Sequence, residues 1–502
     1  MWNDEIDVAI YAKNILTSGL PTGWDGRNLY SYRDGSVLNS DLLGVLSPWL
    51  THYLMALSFY VFGVTTWAAR FPFVLTGFFS LILVYLLVKK LFRDSGLASF
   101  VLTFAAFSPT LIMFSRTARY YSLTMFTAVL SLLAIELTAK RKWLGVILLT
   151  IAGIGMFHTN ELQFAAWWAS LFISSLIFKS KRIWGTILAA TPIVALFTVT
   201  WILWVNPVSE EVGQRHFLVN ANLANAIEII QRFATDLHII QLLPLPFIAL
   251  YLGIAVKDIN QPIKLKQPVF YLALTSFLFI VFSAFLSPTP LDITKHSDVR
   301  HLSAVFPILL ILFVYPLYRI FRKNRYIGIV IFIVALTTNI FFLEWPLQVK
   351  SYAYEYFYEL THDYTTPYEA VVDHLKNQAA ENDTVFVDPE YATEPLLFYL
   401  GHKVYFVGVL KAENERILAK NRNILPPRLY SMTAPPDWYI KFGLDKSRVD
   451  VRGLPEYEAA NYQETVLDVF AEDYTRPELY SHVFREIRPV PDEWKIYIYR
   501  KK

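Results

Sequence analysis

The sequence predicts an α-helical polytopic membrane protein that ends in a small α/β domain. Hydrophobic residues make up 55% of the 502-residue chain and charged residues only 17%, whereas soluble chains carry about a quarter charged residues. Apolar runs about as long as a membrane-crossing helix recur along the first 345 residues. The net charge of +3 gives no basic field for nucleic acid, and the absence of Cys excludes disulfides, thiolate metal sites and Cys nucleophiles.

Ten apolar runs account for the membrane part of this prediction. They lie at residues 71–92, 97–115, 120–138, 143–157, 162–178, 183–205, 237–256, 269–287, 303–321 and 327–345. Lys and Arg concentrate in alternate connections, as they do in cytoplasmic loops. We therefore expect a helical bundle over residues 71–345 in a plasma or inner membrane, with the turns at 113–122 and 157–161 and the loop 287–302 on the extracytoplasmic face.

A further apolar stretch at residues 42–63 precedes the bundle. It lacks Asp, Glu, Lys and Arg but carries Pro48 and His52. Residues 1–41 before it are acidic, so the positive-inside pattern gives no reason to hold them in the cytoplasm. We expect the stretch to form a helix in the outer interface in preference to a true span, within an extracytoplasmic first loop of residues 1–70.

The chain changes character after about residue 346, where the apolar runs shorten and charges return. Residues 368–381 have helical spacing. Three short segments have the composition of strands and lie at residues 384–388, 398–400 and 404–409. We expect residues 346–502 to form an extracytoplasmic soluble α/β domain.

Two basic clusters on the expected extracytoplasmic face break the positive-inside pattern. They comprise, in chain order, Arg116, Arg119, Tyr120, Lys295, Arg300 and His301. An arginine at membrane depth is costly unless it meets an anion, and a lipid phosphate is the obvious one. Snorkelling to lipid headgroups, or pairing with a carboxylate of the first loop, is the alternative. We expect the two clusters together to neutralise one phosphate.

The first loop opens with three carboxylates, Asp4, Glu5 and Asp7, at the start of a helical pattern that stops at Gly19. Such carboxylates act as a general base, as ligands of a divalent metal ion, or simply as favourable charges at a helix N-terminus. The sequence alone favours the helix-terminus role, whereas the expected position of these carboxylates, on the same face as the two basic clusters, favours a functional role.

Two further polar residues, His158 and Glu161, occupy the turn at 157–161. Their i, i+3 spacing is that of some metal-binding pairs, but two ligands alone do not define a site. We keep them as auxiliary or acceptor-binding candidates. The sequence contains no P-loop, GxGxxG, GxSxG or HExxH motif, which disfavours ATP-driven transport and Rossmann chemistry.

Several motifs, taken in order with their expected membrane sides, resemble one known family. They are Asp4-Glu5 followed by Tyr11-Ala12 and Leu16 to Pro21, Pro48 with Phe62-Gly63, Ala69 to Pro72 with Gly77, Tyr85 with Leu91-Phe92, Ser115 to Leu123, and Arg300 to Leu302 with Phe306-Pro307. Over residues 3 to 410, the chain resembles the GT-C glycosyltransferases that use polyprenyl-phosphate sugars, the group of the protein O-mannosyltransferases and the lipid A aminoarabinose transferase.

The resemblance implies a GT-C-like bundle that transfers a sugar, with inversion, from a polyprenyl-phosphate donor to a protein, lipid or glycan acceptor. It implies that Asp4 is the general base, that Glu5 orients the acceptor or a divalent metal ion, and that the basic residues hold the leaving phosphate. Members of the family have a transmembrane helix before the Asp-Glu loop, so we expect such a helix to precede Met1 in a longer chain.

Two competing functions stay open at this point. A lipid-linked sugar flippase or transporter also needs a basic phosphate-binding pocket between helices. A membrane receptor that binds through its outer α/β domain is the other alternative. The polar residues lie at one face of the expected bundle, whereas transporters usually place charges near the midplane, and this favours the glycosyltransferase.

Overall fold

The computed structural model describes residues 3–30, 35, 37–205, 222–242, 268–287, 299–342, 349, 351–361, 366–410, 415–431, 434–443, 461–469 and 495–502. The chain divides into two compact units. The first, called here the α/β unit, takes residues 1–69, 359–476 and 483–502. The second, the helical unit, takes residues 70–358 and 477–482. The first loop and the C-terminal region, which the sequence analysis treats as separate stretches, thus belong to one unit.

The described residues up to 361 form α-helices and two 3₁₀ helices. In chain order they are α1 (Asn3–Ser18), α2 (Leu50–Phe62), α3 (Thr66–Phe92), α4 (Ser95–Phe107), α5 (Pro109–Arg116), α6 (Tyr121–Leu137), α7 (Lys142–Phe157), α8 (Glu161–Ile177), α9 (Lys181–Val205), α10 (Leu223–Ile239), α11 (Pro268–Phe285), the 3₁₀ helix Val299–Val305, α12 (Phe306–Lys323), α13 (Arg325–Thr337), the 3₁₀ helix Ile340–Phe342 and α14 (Tyr352–Thr361).

Four helices of the described residues are long and apolar enough to cross a membrane, namely Thr66–Phe92, Lys181–Trp204, Pro268–Phe285 and Val299–Lys323. A fifth span results if α4 and α5, which meet at a bend of 61°, are counted as one. Helices α2, α6, α7 and α13 are apolar but shorter. The integral membrane class is therefore confirmed, while the count of ten spans remains a prediction, and most of the run at 237–256 lies outside the described residues.

The bend between α4 and α5 follows from the sequence Ser108-Pro109. Proline lacks an N–H and cannot continue a helix through its position, but it is well suited to the first turn of a new one. Ser108 caps the new helix, with its Oγ accepting a hydrogen bond from the Leu111 N–H at 3.4 Å. The bend directs α5 toward the basic turn that begins at Arg116.

Apolar side chains are exposed along the helices that would face lipid. On α3 they include Val74, Phe78 and Phe79, and on α9 Leu196 and Leu203. By contrast, 72% of the apolar window of Val299–Lys323 is buried inside the protein. This segment is therefore a central element of the helical unit, whereas α3 and α9 offer the apolar surface that a bilayer requires.

The described residues of the α/β unit form a five-stranded mixed sheet. Its strands are β1 (Thr384–Asp388), β2 (Tyr405–Phe406), β3 (Trp438–Phe442), β4 (Tyr462–Leu467) and β5 (Ile496–Lys501), in the order β2-β1-β3-β5-β4. Strand β1 runs parallel to β2 and β3, and the other pairs are antiparallel. Its described helices after α14 are α15 (Pro367–Gln378), α16 (Thr393–Leu400) and α17 (Glu415–Asn421).

The structure confirms the predicted helix at 368–381 and the predicted strand at 384–388, and it finds a short strand within 404–409. The prediction of a strand at 398–400 is wrong, because these residues end helix α16. Buried Leu396, Leu397 and Leu400 repeat with helical spacing. A window of three residues was too short to separate a period of 3.6 from a period of 2.

The two helices of the first loop agree in part with the bounds predicted from the sequence. Helix α1 stops where expected, at Gly19, which has a φ of +74° that favours glycine. Helix α2 begins at Leu50 rather than 42, because Leu43 and Gly44 form isolated β-bridges with Thr22 and Leu38, and Pro48 follows them. With 13 residues, α2 is about 20 Å long, too short to cross about 30 Å of hydrocarbon.

Buried Asn28 joins the first loop to the sheet inside the α/β unit. Its Nδ2 donates to the carbonyl oxygens of Gly401 at 2.9 Å and Val404 at 3.0 Å, and its Oδ1 accepts from the Phe406 N–H at 2.9 Å. Beside it, Arg27 donates to the carbonyl oxygen of Lys403 at 3.0 Å. The amide of Asn28 thus acts like an added strand residue at the β2 edge.

Replacing Asn28 should release this attachment. Asn28→Leu leaves two carbonyl oxygens and one N–H buried without their partner, so we expect a loss of about 2 to 4 kcal/mol in the stability of the α/β unit. Asn28→Asp should be destabilising as well, because it removes both donors. Limited proteolysis of the first loop and thermal unfolding in detergent would measure the change.

The control is Asn377→Ala, which removes an exposed amide that bonds only within α15, to the Asp373 carbonyl oxygen at 2.9 Å. If Asn28→Leu proved no more protease-sensitive than Asn377→Ala, the first loop would not depend on this attachment.

Candidate functional site

The predicted catalytic carboxylates lie on the first turns of α1, in the α/β unit. Asp4 is the second residue of the helix, and its side chain lies outside what the structure describes. Glu5 is fully buried. Asp7 is half-buried and its side chain accepts a hydrogen bond from the Tyr30 hydroxyl. The helix thus places Glu5 inside the unit and leaves Asp7 half-buried, rather than holding both as solvated charges at a helix end.

A fourth carboxylate, from the C-terminal part of the chain, joins this group. Glu394 is the second residue of α16 and is only 4% exposed. Burial raises the pKa of the Tyr11 hydroxyl well above its usual value, and the nearby charges of Asp7 and Glu394 raise it further. Because both carboxylates act on one hydroxyl, the structure brings Glu394 into the neighbourhood of α1.

Aromatic rings pack around the same hydroxyl. The ring of Tyr11 meets those of Tyr30 and His52 edge-on, with centroids 5.0 and 5.3 Å apart. Gly44 gives the ring space, since a Cβ at this position would lie 2.5 Å from Tyr11 Cζ.

Sequence reasoning missed Glu394, although a glutamate at the start of the apolar stretch TEPLLFYL was a visible signal.

The first basic cluster lies where α5 turns into α6, in the helical unit. Arg116 ends α5, and both Arg116 and Arg119 are half-buried. The Arg119 guanidinium lies over the buried ring of Tyr120, 5.6 Å from its centroid. Gly77 of α3 permits the close approach of α5, because a Cβ there would lie 2.5 Å from Ser115 Cβ.

The second basic cluster lies on the 3₁₀ helix Val299–Val305, which carries half-buried Arg300 and His301. Lys295 lies outside the described residues. The Ser303 hydroxyl in this helix bonds the Thr124 hydroxyl at the start of α6, 2.7 Å away. The two basic clusters are therefore carried by elements in direct contact, although 179 positions separate Thr124 from Ser303 in the chain.

Aromatic packing supports the same junction. The ring of Phe114 on α5 meets those of Tyr121 and Phe306 edge-on, each with centroids 5.0 Å apart. Tyr121 and Phe306 start α6 and α12, and both are fully buried. Three helix ends thus share one apolar contact next to the basic residues.

Gln163 of α8 connects a third element to this junction. It is 1% exposed, and its Nε2 donates to the Arg300 carbonyl oxygen at 3.2 Å and to Ser303 Oγ at 3.0 Å. Its Oε1 accepts from the Ala304 N–H at 2.9 Å. Gln163, Ser303 and Thr124 were not among the residues predicted from the sequence. An amide in an otherwise apolar run was the available signal, since polar groups at membrane depth need partners.

The auxiliary candidates His158 and Glu161 lie just before Gln163, in the turn between α7 and α8. Both are half-buried. Burial raises the pKa of the Glu161 carboxyl from 4.5 to about 7 and lowers the pKa of His158. A carboxyl with this pKa exchanges protons near neutral pH, as a general acid or base must.

Among the described side chains, no group of three or more His, Asp or Glu residues could hold a metal ion. The side chain of Asp4 is outside that set.

Comparison with known proteins agrees with this architecture. A family model for dolichyl-phosphate-mannose-protein mannosyltransferases matches residues 47–204. The crystal structure of ArnT from Cupriavidus metallidurans bound to undecaprenyl phosphate is similar, with a TM-score of 0.56 and 12% identity over 88% of each chain. The apo state of ArnT gives a TM-score of 0.55 and 13% identity, over 87% of this chain and 88% of that one. No curated protein matches the sequence.

The protein has the GT-C fold. The expected resemblance to the GT-C enzymes is thereby confirmed at the level of the fold. The family match also spans α2 to α9, and so includes the first basic cluster, His158 and Glu161.

The raised pKa of Glu161 predicts a pH-dependent stability difference. Its carboxyl is neutral in the folded protein up to about pH 7 but ionises near pH 4.5 when unfolded. Wild-type stability should therefore fall as the pH rises from 4.5 to 7. Glu161→Gln does not ionise, so its thermal midpoint in detergent should exceed that of the wild type by a margin that is absent at pH 4, grows toward pH 7 and is constant above pH 8.

Glu415→Gln is the matched control, because Glu415 is exposed at the start of α17. A thermal midpoint for Glu161→Gln that runs parallel to the wild type from pH 4 to pH 8 would show that the Glu161 carboxyl is well solvated.

Proposed function

We propose that the protein is a membrane glycosyltransferase that transfers a sugar from a polyprenyl-phosphate donor to a protein, lipid or glycan acceptor. The observation that carries this proposal is the hydrogen bond between Thr124 and Ser303, which joins the elements next to the two basic clusters inside a GT-C fold. Half-buried arginines on adjoining elements suit an anion at membrane depth. A lipid phosphate supplies one at membrane depth, and a solved GT-C neighbour binds undecaprenyl phosphate.

The chemistry that we propose is a single displacement with inversion at the anomeric carbon. The acceptor hydroxyl or amine attacks that carbon, Asp4 takes its proton, and the bond from carbon to phosphate oxygen breaks. Glu5 orients the acceptor, alone or through a divalent metal ion. Polyprenyl phosphate leaves as an anion, so fixed donors on Arg116, Arg119, Arg300 and His301, with Lys295, would stabilise the charge that develops on it.

The remaining predicted residues have supporting roles in this proposal. Tyr120 supports the Arg119 guanidinium through its ring face. Asp7, which accepts from Tyr30, would hold α1 in place. Glu161 and His158 would contact the acceptor or exchange protons with it, since the pKa of Glu161 is about 7.

The proposal is tested with purified protein and a panel of radiolabelled polyprenyl-phosphate sugars. We expect sugar-dependent release of polyprenyl phosphate by the wild type. Asp4→Asn should lower kcat about 10²- to 10⁴-fold, as loss of a general base does. Arg119→Ala should lower kcat/KM, since it removes a donor to the leaving phosphate. The anomeric configuration of the product, determined by NMR, should be inverted.

Matched controls are Asp373→Asn, an exposed carboxylate on α15, and Arg182→Ala, which removes a surface ion pair with Glu136. Both should retain wild-type rates. A folded wild-type protein that releases no polyprenyl phosphate from any donor would contradict the enzyme and favour the flippase or transporter, which a flux assay in vesicles would then detect.

The proposed orientation has its own test, which the absence of Cys makes simple. We propose that the α/β unit lies outside the cytoplasm and that the connection between α6 and α7 lies inside it. In intact cells, a membrane-impermeant maleimide should therefore label the Glu415→Cys variant. It should label the Lys140→Cys variant only after permeabilisation, because the membrane keeps the reagent from the cytoplasm. Both side chains are exposed, so either Cys can react once the reagent reaches it. The reverse pattern would place the α/β unit in the cytoplasm.

A further inference from the structure

Gln163 is buried in the helical unit and its amide bonds to a neighbouring element instead of to its own helix. Here the Gln163 network means its side chain, the hydroxyls of Thr124 and Ser303, and the backbone groups of Arg300 and Ala304. Each member is fixed by a hydrogen bond of 2.7 to 3.2 Å. The network connects α6, α8 and the 3₁₀ helix Val299–Val305.

The position of Gln163 is set independently of these contacts. It is the third residue of α8, and Asn160 caps the helix by accepting from the Gln163 N–H at 2.9 Å. The backbone of Gln163 is therefore fixed by the helix cap, independently of the groups that its side chain bonds.

The bonded groups call for a primary amide. The Arg300 carbonyl oxygen needs a donor, whereas the Ala304 N–H needs an acceptor, and Gln163 offers both from one planar group. A carboxylate would lose the donor, and an apolar side chain would lose both. A 3₁₀ helix holds its own backbone with poorer hydrogen bonds than an α-helix does, so it depends more on such outside partners.

Two predicted phosphate-binding residues are fixed by these bonds. The carbonyl oxygen that Gln163 bonds belongs to Arg300, and His301 is the next residue. Through Ser303 and Thr124 the network also reaches the first turn of α6, directly after Arg119 and Tyr120. A guanidinium recognises phosphate through paired donors whose placement depends on the backbone that carries them.

We infer that Gln163 is a positioning residue that holds the Arg119–Tyr120 turn and the Arg300–His301 segment together as one phosphate-binding site. This inference rests on the proposed function, which puts a lipid phosphate at these residues. Gln163 itself contacts the backbone of the site and not the phosphate.

The first test compares binding of undecaprenyl phosphate in detergent micelles by the wild type and by Gln163→Leu. We expect the Kd to rise about 10- to 100-fold, which corresponds to the loss of two or three buried hydrogen bonds. With a donor that the wild type uses, KM should rise by more than kcat falls, because the chemical groups stay in place. Thr124→Val, which removes one hydroxyl of the network, should also raise the Kd, by a smaller factor. If Gln163→Leu does not fold, the Kd of Thr124→Val tests the inference in its place.

Gln163→Glu gives a readout that a purely structural role would not produce. Its carboxylate accepts from the Ala304 N–H but cannot donate to the Arg300 carbonyl oxygen, whereas the protonated carboxyl can do both. Binding by Gln163→Glu should therefore recover toward the wild type as the pH falls. Gln163→Leu, measured over the same range, corrects for ionisation of the ligand phosphate and should show no such recovery.

Ser174→Ala is the matched control on the same helix. Its hydroxyl makes a buried bond to Thr275 of α11 at 3.1 Å, eleven residues from Gln163 and apart from the network. It should lower the thermal midpoint and leave the Kd within about twofold of the wild type. If Gln163→Leu binds as the wild type does, or if Ser174→Ala weakens binding equally, the positioning role is refuted while the proposed function stands. A wild type that neither binds undecaprenyl phosphate nor transfers a sugar refutes both.

Discussion

The helical unit depends on one constraint: polar groups buried between apolar helices must find partners inside the protein, because lipid offers none. Its chain meets this constraint at one junction in particular. The amide of Gln163 and the hydroxyls of Thr124 and Ser303 bond one another and the backbone of the 3₁₀ helix. Arg119 lies two residues before α6, and Arg300 lies in the 3₁₀ helix, so this network is close in sequence to both basic clusters. These hydrogen bonds offset the cost of burying the polar side chains, at a place next to the proposed phosphate-binding residues.

A comparable device holds the α/β unit together. Asn28 satisfies three backbone groups at the edge of the sheet, and Arg27 and Arg428 both lie over the ring of Tyr405, 4.2 and 4.1 Å from its centroid. The first loop, which carries the predicted general base, is therefore built onto the C-terminal sheet. This makes the C-terminal region part of the scaffold of α1, and Glu394 adds a carboxylate of its own to the neighbourhood of Asp7.

The candidate groups for the proposed reaction differ between the two units. The α/β unit buries carboxylates on α1 and α16, whereas the helical unit carries half-buried arginines at its basic clusters. A glycosyl transfer needs both: a base for the incoming nucleophile and cations for the departing phosphate.

The sequence by itself determined the membrane class, the helix that ends at Gly19, the strand at 384–388 and the GT-C resemblance. These features depend on local composition and on short motifs, which can be recognised in the sequence without knowing the tertiary contacts. Only the tertiary structure decided that Thr124 meets Ser303 across 179 positions, that Gln163 bonds the Arg300 carbonyl oxygen, and that Glu394 lies near Tyr11. The long-range partners of buried polar groups depend on how the helices pack. A glutamine or serine in an apolar run indicates that a partner is needed, but the sequence does not identify that partner.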